Sequence, residues 1–119
     1  MSAEDRKFLK ELSAGTSSLV LLGVVNRASE PVYGYQVAKS LDAGRESDLA
    51  MKQGALYPVL RSLERSGLLE SSVEPSVAGP PRRYYRITEK GRAALGRWTE
   101  IWTASKEHVD SVLKGTRDE

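Results

Sequence analysis

Residues 52–68, KQGALYPVLRSLERSGL, carry the side chains best suited to chemistry on another macromolecule. Lys52, Gln53, Tyr57 and Arg61 fall on one side of a helix. From one helical face they supply donors that reach guanine or adenine edges and phosphate oxygens. Arg82 and Arg83 follow a Gly-Pro-Pro turn and suit phosphate or minor-groove contact. Lys39 is a further candidate for holding a nucleic-acid backbone. Against each stands the blander reading, a solvated charged face. Catalysis has no comparable support, for no nucleophile–base pair and no Gly-rich phosphate loop is present. The chain has no cysteine and a single histidine, His108, which excludes a zinc finger, thiol chemistry and a multi-histidine metal site within one chain. An enzyme, a metal and a cofactor are therefore not expected.

The reading side chains need a helix under them, and the same stretch supplies it. Leu56, Val59, Leu60 and Leu63 recur at i, i+3, i+4 and i+7, one apolar stripe opposite the polar face. Gly67 sits where a left-handed cap belongs. Pro58 leaves two readings: the helix begins close to Tyr57, or it begins near Gln53 and is disturbed at Pro58.

Upstream, residues 3–13 read as a short helix with Phe8, Leu9 and Leu12 on one side, interrupted at Gly15. Thr16 or Ser17 then caps a second helix to about residue 28, whose run Leu19–Val25 is apolar enough for the centre of the core. Glu30-Pro31 marks a break. A helix follows over about 32–41, with Tyr35, Ala38 and Leu41 in phase and Gly34 at its start or in close packing. Polar residues 42–51 end it.

Downstream, Leu68–Val73 and Arg82–Thr88 read as strands around the loop PSVAGPP. Arg83, Tyr85 and Ile87 should face one way; Arg82, Tyr84, Arg86 and Thr88 the other. Of Tyr84 and Tyr85, one belongs in the core and one on the surface. Thr88 is a good N-cap for a last helix running to about 114. That helix carries Leu95, Trp98, Trp102, Val109 and Val112 at steps of 3 and 4, with Ser105 in a polar slot and Ile101 widening the stripe. This is more apolar face than a small domain covers, and a second copy of the chain is the simplest cover. The same tryptophans could, alongside dimer contact, wall an aromatic cavity between two subunits for a flat effector. Phe8 and Leu9 can reach the same surface.

With 119 residues, 39% hydrophobic and 29% charged, the chain is an ordinary one-domain length and composition. Its net charge of +2 does not announce a polyanion partner, so charge placement must carry that inference. The longest apolar run falls short of the roughly 20 residues that span a bilayer, and the charged N-terminus has no signal-peptide pattern. The expected location is cytoplasmic. The element order, helices then a hairpin then a long helix, predicts a mainly α fold with a two-stranded β-wing, a winged helix-turn-helix. The expected division is a helical extension over 1–15, the winged domain over 16–88, and a dimerisation helix and tail over 89–119.

Four stretches carry a family resemblance: Tyr33-Gly34-Tyr35, Gly54-Ala55-Leu56-Tyr57-Pro58-Val59-Leu60, Leu63-Glu64-Arg65-Ser66-Gly67-Leu68, and Arg83 through Gly91. In this order and spacing, over about residues 17–97, the chain resembles the PadR family of bacterial transcriptional regulators. The resemblance implies a winged-helix domain, a homodimer through the C-terminal helix, and binding to palindromic promoter DNA, usually as a repressor. Its one C-terminal helix resembles the smaller subfamily, and some members respond to planar aromatic molecules. Ala55 stands where many members carry Thr or Ser, and residues 1–15 exceed the family minimum. The competing expectation is a winged-helix protein-interaction module without sequence-specific DNA binding.

Overall fold

The computed structural model describes residues 1–42 and 53–117. The elements are α1 (Ala3–Arg27), β1 (Val32–Tyr33), α2 (Gly34–Asp42), α3 (Gln53–Arg65), β2 (Leu69–Glu74), β3 (Arg82–Ile87) and α4 (Glu89–Arg117).

The interruption expected at Gly15 does not occur; α1 is continuous. It starts from a capping box in which Asp5 N–H donates to Ser2 Oγ and Ser2 N–H to Asp5 Oδ2. Thr16 does not cap: its hydroxyl donates back to the Leu12 carbonyl at 3.0 Å, within the same helix. A glycine inside a helix costs only about 1 kcal/mol relative to alanine, which the cap and the buried end of α1 outweigh. By length and composition α1 could cross a membrane. Its second half instead supplies the core with Leu21, Leu22, Val24 and Val25, and its first half carries charges at six of residues 4–11.

Around that half of α1 the other elements close. Val37 and Ala38 of α2, Leu56, Leu60 and Leu63 of α3, Leu68 and Leu69 at the start of the wing, Tyr85 of β3 and Ala94 of α4 are all buried. The stripe expected on α3 is thus its core face. In α2 the inward phase differs from expectation. Val37, Ala38 and half-buried Leu41 turn in, while Tyr35 turns out, because the helix starts only at Gly34. Tyr33 N–H donates to the side chain of Gln36 three residues on, which closes that start.

The helix of the opening motif begins at Gln53 and continues through Pro58. Proline removes one N–H, so α3 loses one rung near its start without ending. Its other end is a Schellman motif: Leu68 N–H donates to the Leu63 carbonyl, Gly67 N–H to that of Glu64, and Gly67 takes φ of 79°.

The hairpin β2–β3 has the expected seven-residue loop, and its alternation puts Tyr85 in the core and leaves Tyr84 half-buried outside. The sheet has three strands rather than two. Two-residue β1 pairs antiparallel with β3, Val32 opposite Tyr85 and Tyr33 opposite Tyr84, giving the order β1-β3-β2. A pair that short has no periodicity of its own, and its partner lies fifty residues away.

Thr88 caps α4 as expected, its Oγ1 accepting from Gly91 N–H at 3.0 Å. The same hydroxyl donates to the Gly67 carbonyl at 2.7 Å, while Lys90 Nζ donates to the Ser66 carbonyl at 2.8 Å. The end of α3 and the start of α4 are therefore one hydrogen-bonded junction. Gly91 lies inside it, where an added Cβ would strike the Leu68 carbonyl and sit 2.7 Å from the Ile87 side chain. Gly91→Ala should accordingly cost about 1–3 kcal/mol of unfolding free energy. Gly96→Ala, one helical turn further on in open space, should stabilise by about 0.5–1 kcal/mol. Urea unfolding of the two variants checks both signs.

Candidate nucleic-acid interface

On α3 the polar face left over by the core stripe carries Arg61 and Arg65, both exposed. Gln53 is the first residue of this helix, and Lys52 lies outside the described residues. Tyr57, expected to reach outward, has a second role. A Cβ added at Gly34 would lie 2.5 Å from the hydroxyl end of its ring, so the ring packs directly against the start of α2. Tyr57 nevertheless keeps 38% of its surface exposed. Gly34 is the residue that lets α2 and α3 approach this closely, and both places expected for it, helix start and close packing, hold together. Lys39 is exposed in the last turn of α2.

The three arginines of β3 are exposed but differently held. Arg86 donates to Glu70, its cross-strand partner, at 2.6 Å. Arg83 Nη1 donates to Ser71 Oγ at 2.9 Å, and that hydroxyl donates to Glu64 Oε2 at 2.6 Å. This relay ties the wing to α3, and nothing in the local sequence announces it. Arg82 lies over the ring of Tyr33, 4.4 Å from its centroid. The two neighbouring arginines thus leave on opposite faces of the wing, as strand alternation requires. Ser71 and Glu64 escaped the sequence reading because their link pairs a strand with a helix face. The available signal was a carboxylate on the last turn of α3 opposite an arginine-bearing strand.

A second surface lies between α1 and α4. A groove of about 530 Å³ is lined by Leu12, Gly15, Thr16, Leu19, Trp98, Ile101, Trp102 and others. It opens beside a larger recess of about 750 Å³ that also touches Leu95 and the end of α2. The expected residues Trp98, Ile101 and Trp102 are brought together there. Trp102 is 41% and Ile101 62% exposed. Val109 lies further out on α4 and Phe8 on the first turns of α1, both exposed, while Leu9 is half-buried. None of these three lines the grooves. Leu12, Thr16 and Leu19 do, at i, i+4 and i+7. That pattern becomes visible only once α1 is read as one helix.

Three helices, with the third presenting a cationic face beside a β-hairpin rich in arginine, define a winged helix-turn-helix DNA-binding regulator. Residues 21–97 match the profile of the transcriptional regulator PadR-like family. The chain belongs to that family. A PadR family transcriptional regulator from Eggerthella lenta is 33% identical, with 90% of this chain and 89% of that one covered and a TM-score of 0.76. A PadR-like transcriptional regulator from Bacillus cereus is 27% identical, covering 87% and 96%, with a TM-score of 0.70. Transcriptional regulator Rv3488 of Mycobacterium tuberculosis is 48% identical over 62 residues, 52% of this chain and 54% of that protein. The protein is therefore a transcriptional regulator of the DNA-binding class and not an enzyme.

The α3–wing joint also has a titratable member. Burial, seconded by the Glu64 carboxylate, holds the Tyr85 phenol above its ordinary pKa of 10.0, and Arg83 and Arg61 oppose the shift. The folded state thus keeps this proton where the unfolded chain releases it. The contribution is fully present below pH 10.0 and is lost as pH rises through the raised value. The urea midpoint should fall as pH rises above 10.0, and Tyr85→Phe should flatten that fall.

Proposed function

We propose that this regulator is a cytoplasmic homodimer that represses transcription by binding a palindromic promoter site. The observation that carries the reading is the exposed face of α3 with Arg61 beside a wing whose arginines leave on both faces. Lys52, Gln53, Tyr57 and Arg61 would enter the major groove, with Arg82 and Arg83 on flanking DNA and Lys39 on the backbone. Residues 16–88 would form the reader. Residues 89–119 would form the dimer helix, joined by the 1–15 extension through its face on the α1–α4 groove.

The apolar face of α4, with Trp98, Ile101, Trp102 and Val109, supports the dimer. A partner helix would cover it with the help of Leu95, Phe8 and Leu9. Pairing there would put two α3 helices in successive major grooves about 34 Å apart. The tryptophans beside the groove also support a flat aromatic effector between the subunits, which would release DNA by changing the separation of the two readers.

Footprinting the intergenic DNA beside the gene should reveal a protected inverted repeat. Arg61→Ala should weaken binding there by about 1–3 kcal/mol, whereas Lys114→Ala, far along α4, should change it little. A protein with no preference for that repeat over random duplex at moderate salt would instead be an interaction module. Ile101→Asp should convert a sedimenting dimer to a folded monomer, because the side chain is exposed in one chain alone. A wild-type chain that sediments as a monomer at all concentrations contradicts the dimer. Planar aromatics should quench tryptophan fluorescence if the cavity holds them, and silence across a varied panel would leave α4 a simple packing face.

A further inference from the structure

Tyr33 ends β1 and stands opposite Tyr84 of β3. Its ring meets Tyr84 edge-on at 5.4 Å and lies nearly parallel to Tyr35 at 6.4 Å, with 18° between the planes. Arg82 rests on the same ring. Tyr33, Tyr35, Arg82 and the wing-loop residues Pro80 and Pro81 border an open recess of about 400 Å³. One ring therefore touches the start of α2, the outer face of the wing and its first arginine.

The other wing arginines already have acceptors, Arg83 at Ser71 and Arg86 at Glu70. Among the described residues no carboxylate pairs with Arg82, although Glu74 stands opposite it in register. The ring covers one side of the guanidinium, and N–H groups pointing away from it are left for an anion. A long side chain held in place before binding loses less freedom when it binds.

We propose that Tyr33 is a positioning residue for DNA binding: its ring holds Arg82 flat against the wing so that the guanidinium edge meets one backbone phosphate flanking the α3 contact. The inference rests on the DNA-binding reading above and adds to it which wing arginine bears the phosphate and what holds it ready. Tyr33 itself need not touch DNA.

The test measures affinity against salt by fluorescence anisotropy, on a duplex carrying the inverted repeat beside the gene. The proteins are wild type, Arg82→Gln, Tyr33→Leu, Tyr33→Phe and the Arg82→Gln/Tyr33→Leu double variant. Each lost phosphate contact lowers the slope of log affinity against log salt by about 0.9, and a dimer carrying the change on both chains loses two, about 1.8 in all. Arg82→Gln should show that loss, Tyr33→Leu most of it, and the double variant no more than Arg82→Gln alone. Tyr33→Phe, which keeps the ring, should retain the wild-type slope.

A second readout needs no variant and no DNA: the Arg82 δ-methylene protons of the free protein should be shifted upfield by the Tyr33 ring. It decides the matter should Tyr33→Leu fail to fold. A wild-type slope in Tyr33→Leu, additive losses in the double variant, loss of slope in Tyr33→Phe or an unshifted Arg82 each overturn the proposal while the regulator still binds its repeat. A wild-type protein without preference for the repeat overturns the DNA-binding reading and this proposal with it, and is thereby distinguished from failure of the proposal alone.

Discussion

The junction of Gly67, Leu68 and Thr88 holds the two working helices in one piece. Gly67 adopts its positive φ, which turns the chain out of α3 and lets Leu68 N–H reach the Leu63 carbonyl. Thr88 then performs three tasks. Its N–H donates to the Leu68 carbonyl at 3.1 Å, its hydroxyl donates to Gly67, and the same oxygen accepts from Gly91. Orphan groups at a helix end and a helix start are thus satisfied against each other rather than by water. The consequence reaches the function. The direction of α3 is set relative to α4, so in the proposed dimer whatever fixes α4 against the second chain would also fix where the exposed face of α3 points.

Charge placement, not net charge, distinguishes the wing. Two of its three arginines already have hydrogen-bond partners: Arg86 pairs with Glu70, and Arg83 donates to Ser71, whose hydroxyl donates to Glu64. The Arg86–Glu70 pair is more than half exposed on both sides and contributes little to stability. The Ser71 relay is partly buried and fixes the angle between wing and α3. Arg82, held by a ring instead of a carboxylate, keeps its charge available. A net charge of +2 can thereby coexist with a locally positive edge on the wing.

Features encoded over a few neighbouring residues were legible in the sequence. The core stripe of α3, the Gly67 cap, the Thr88 cap and the in–out alternation of β3 each depend on spacing alone. Features made by distant partners were not. Gly15 looked like a stop because its helix cost is local, whereas the burial of Leu21 and Leu22 that sustains α1 is not. Tyr57 looked free because Gly34, the surface it lies on, is remote in sequence. Strand β1 escaped for the same reason. At the candidate interface, residue types on α3 and the wing were readable from their pattern. Their partners, Tyr33 under Arg82 and Ser71 beside Arg83, required the sheet register.

Only the first turns of α4 pack against the core. Ala94, Leu95 and Trp98 are its contacts with the core. From Thr99 to Gly115 every residue is exposed. An isolated helix of this length is marginal in water, because its nucleation cost is recovered mainly by tertiary packing. The Lys106–Asp110 pair at 2.8 Å is exposed to solvent on both sides and adds little. Side-chain bonds from Thr99 and Thr103 to carbonyls four residues back do not extend the core either. The apolar positions 98, 102, 109 and 112 nevertheless continue the phase set by Leu95. A helix that keeps a core pattern beyond its own core leaves an apolar stripe uncovered in a single chain, and that stripe is what supports the proposed dimer.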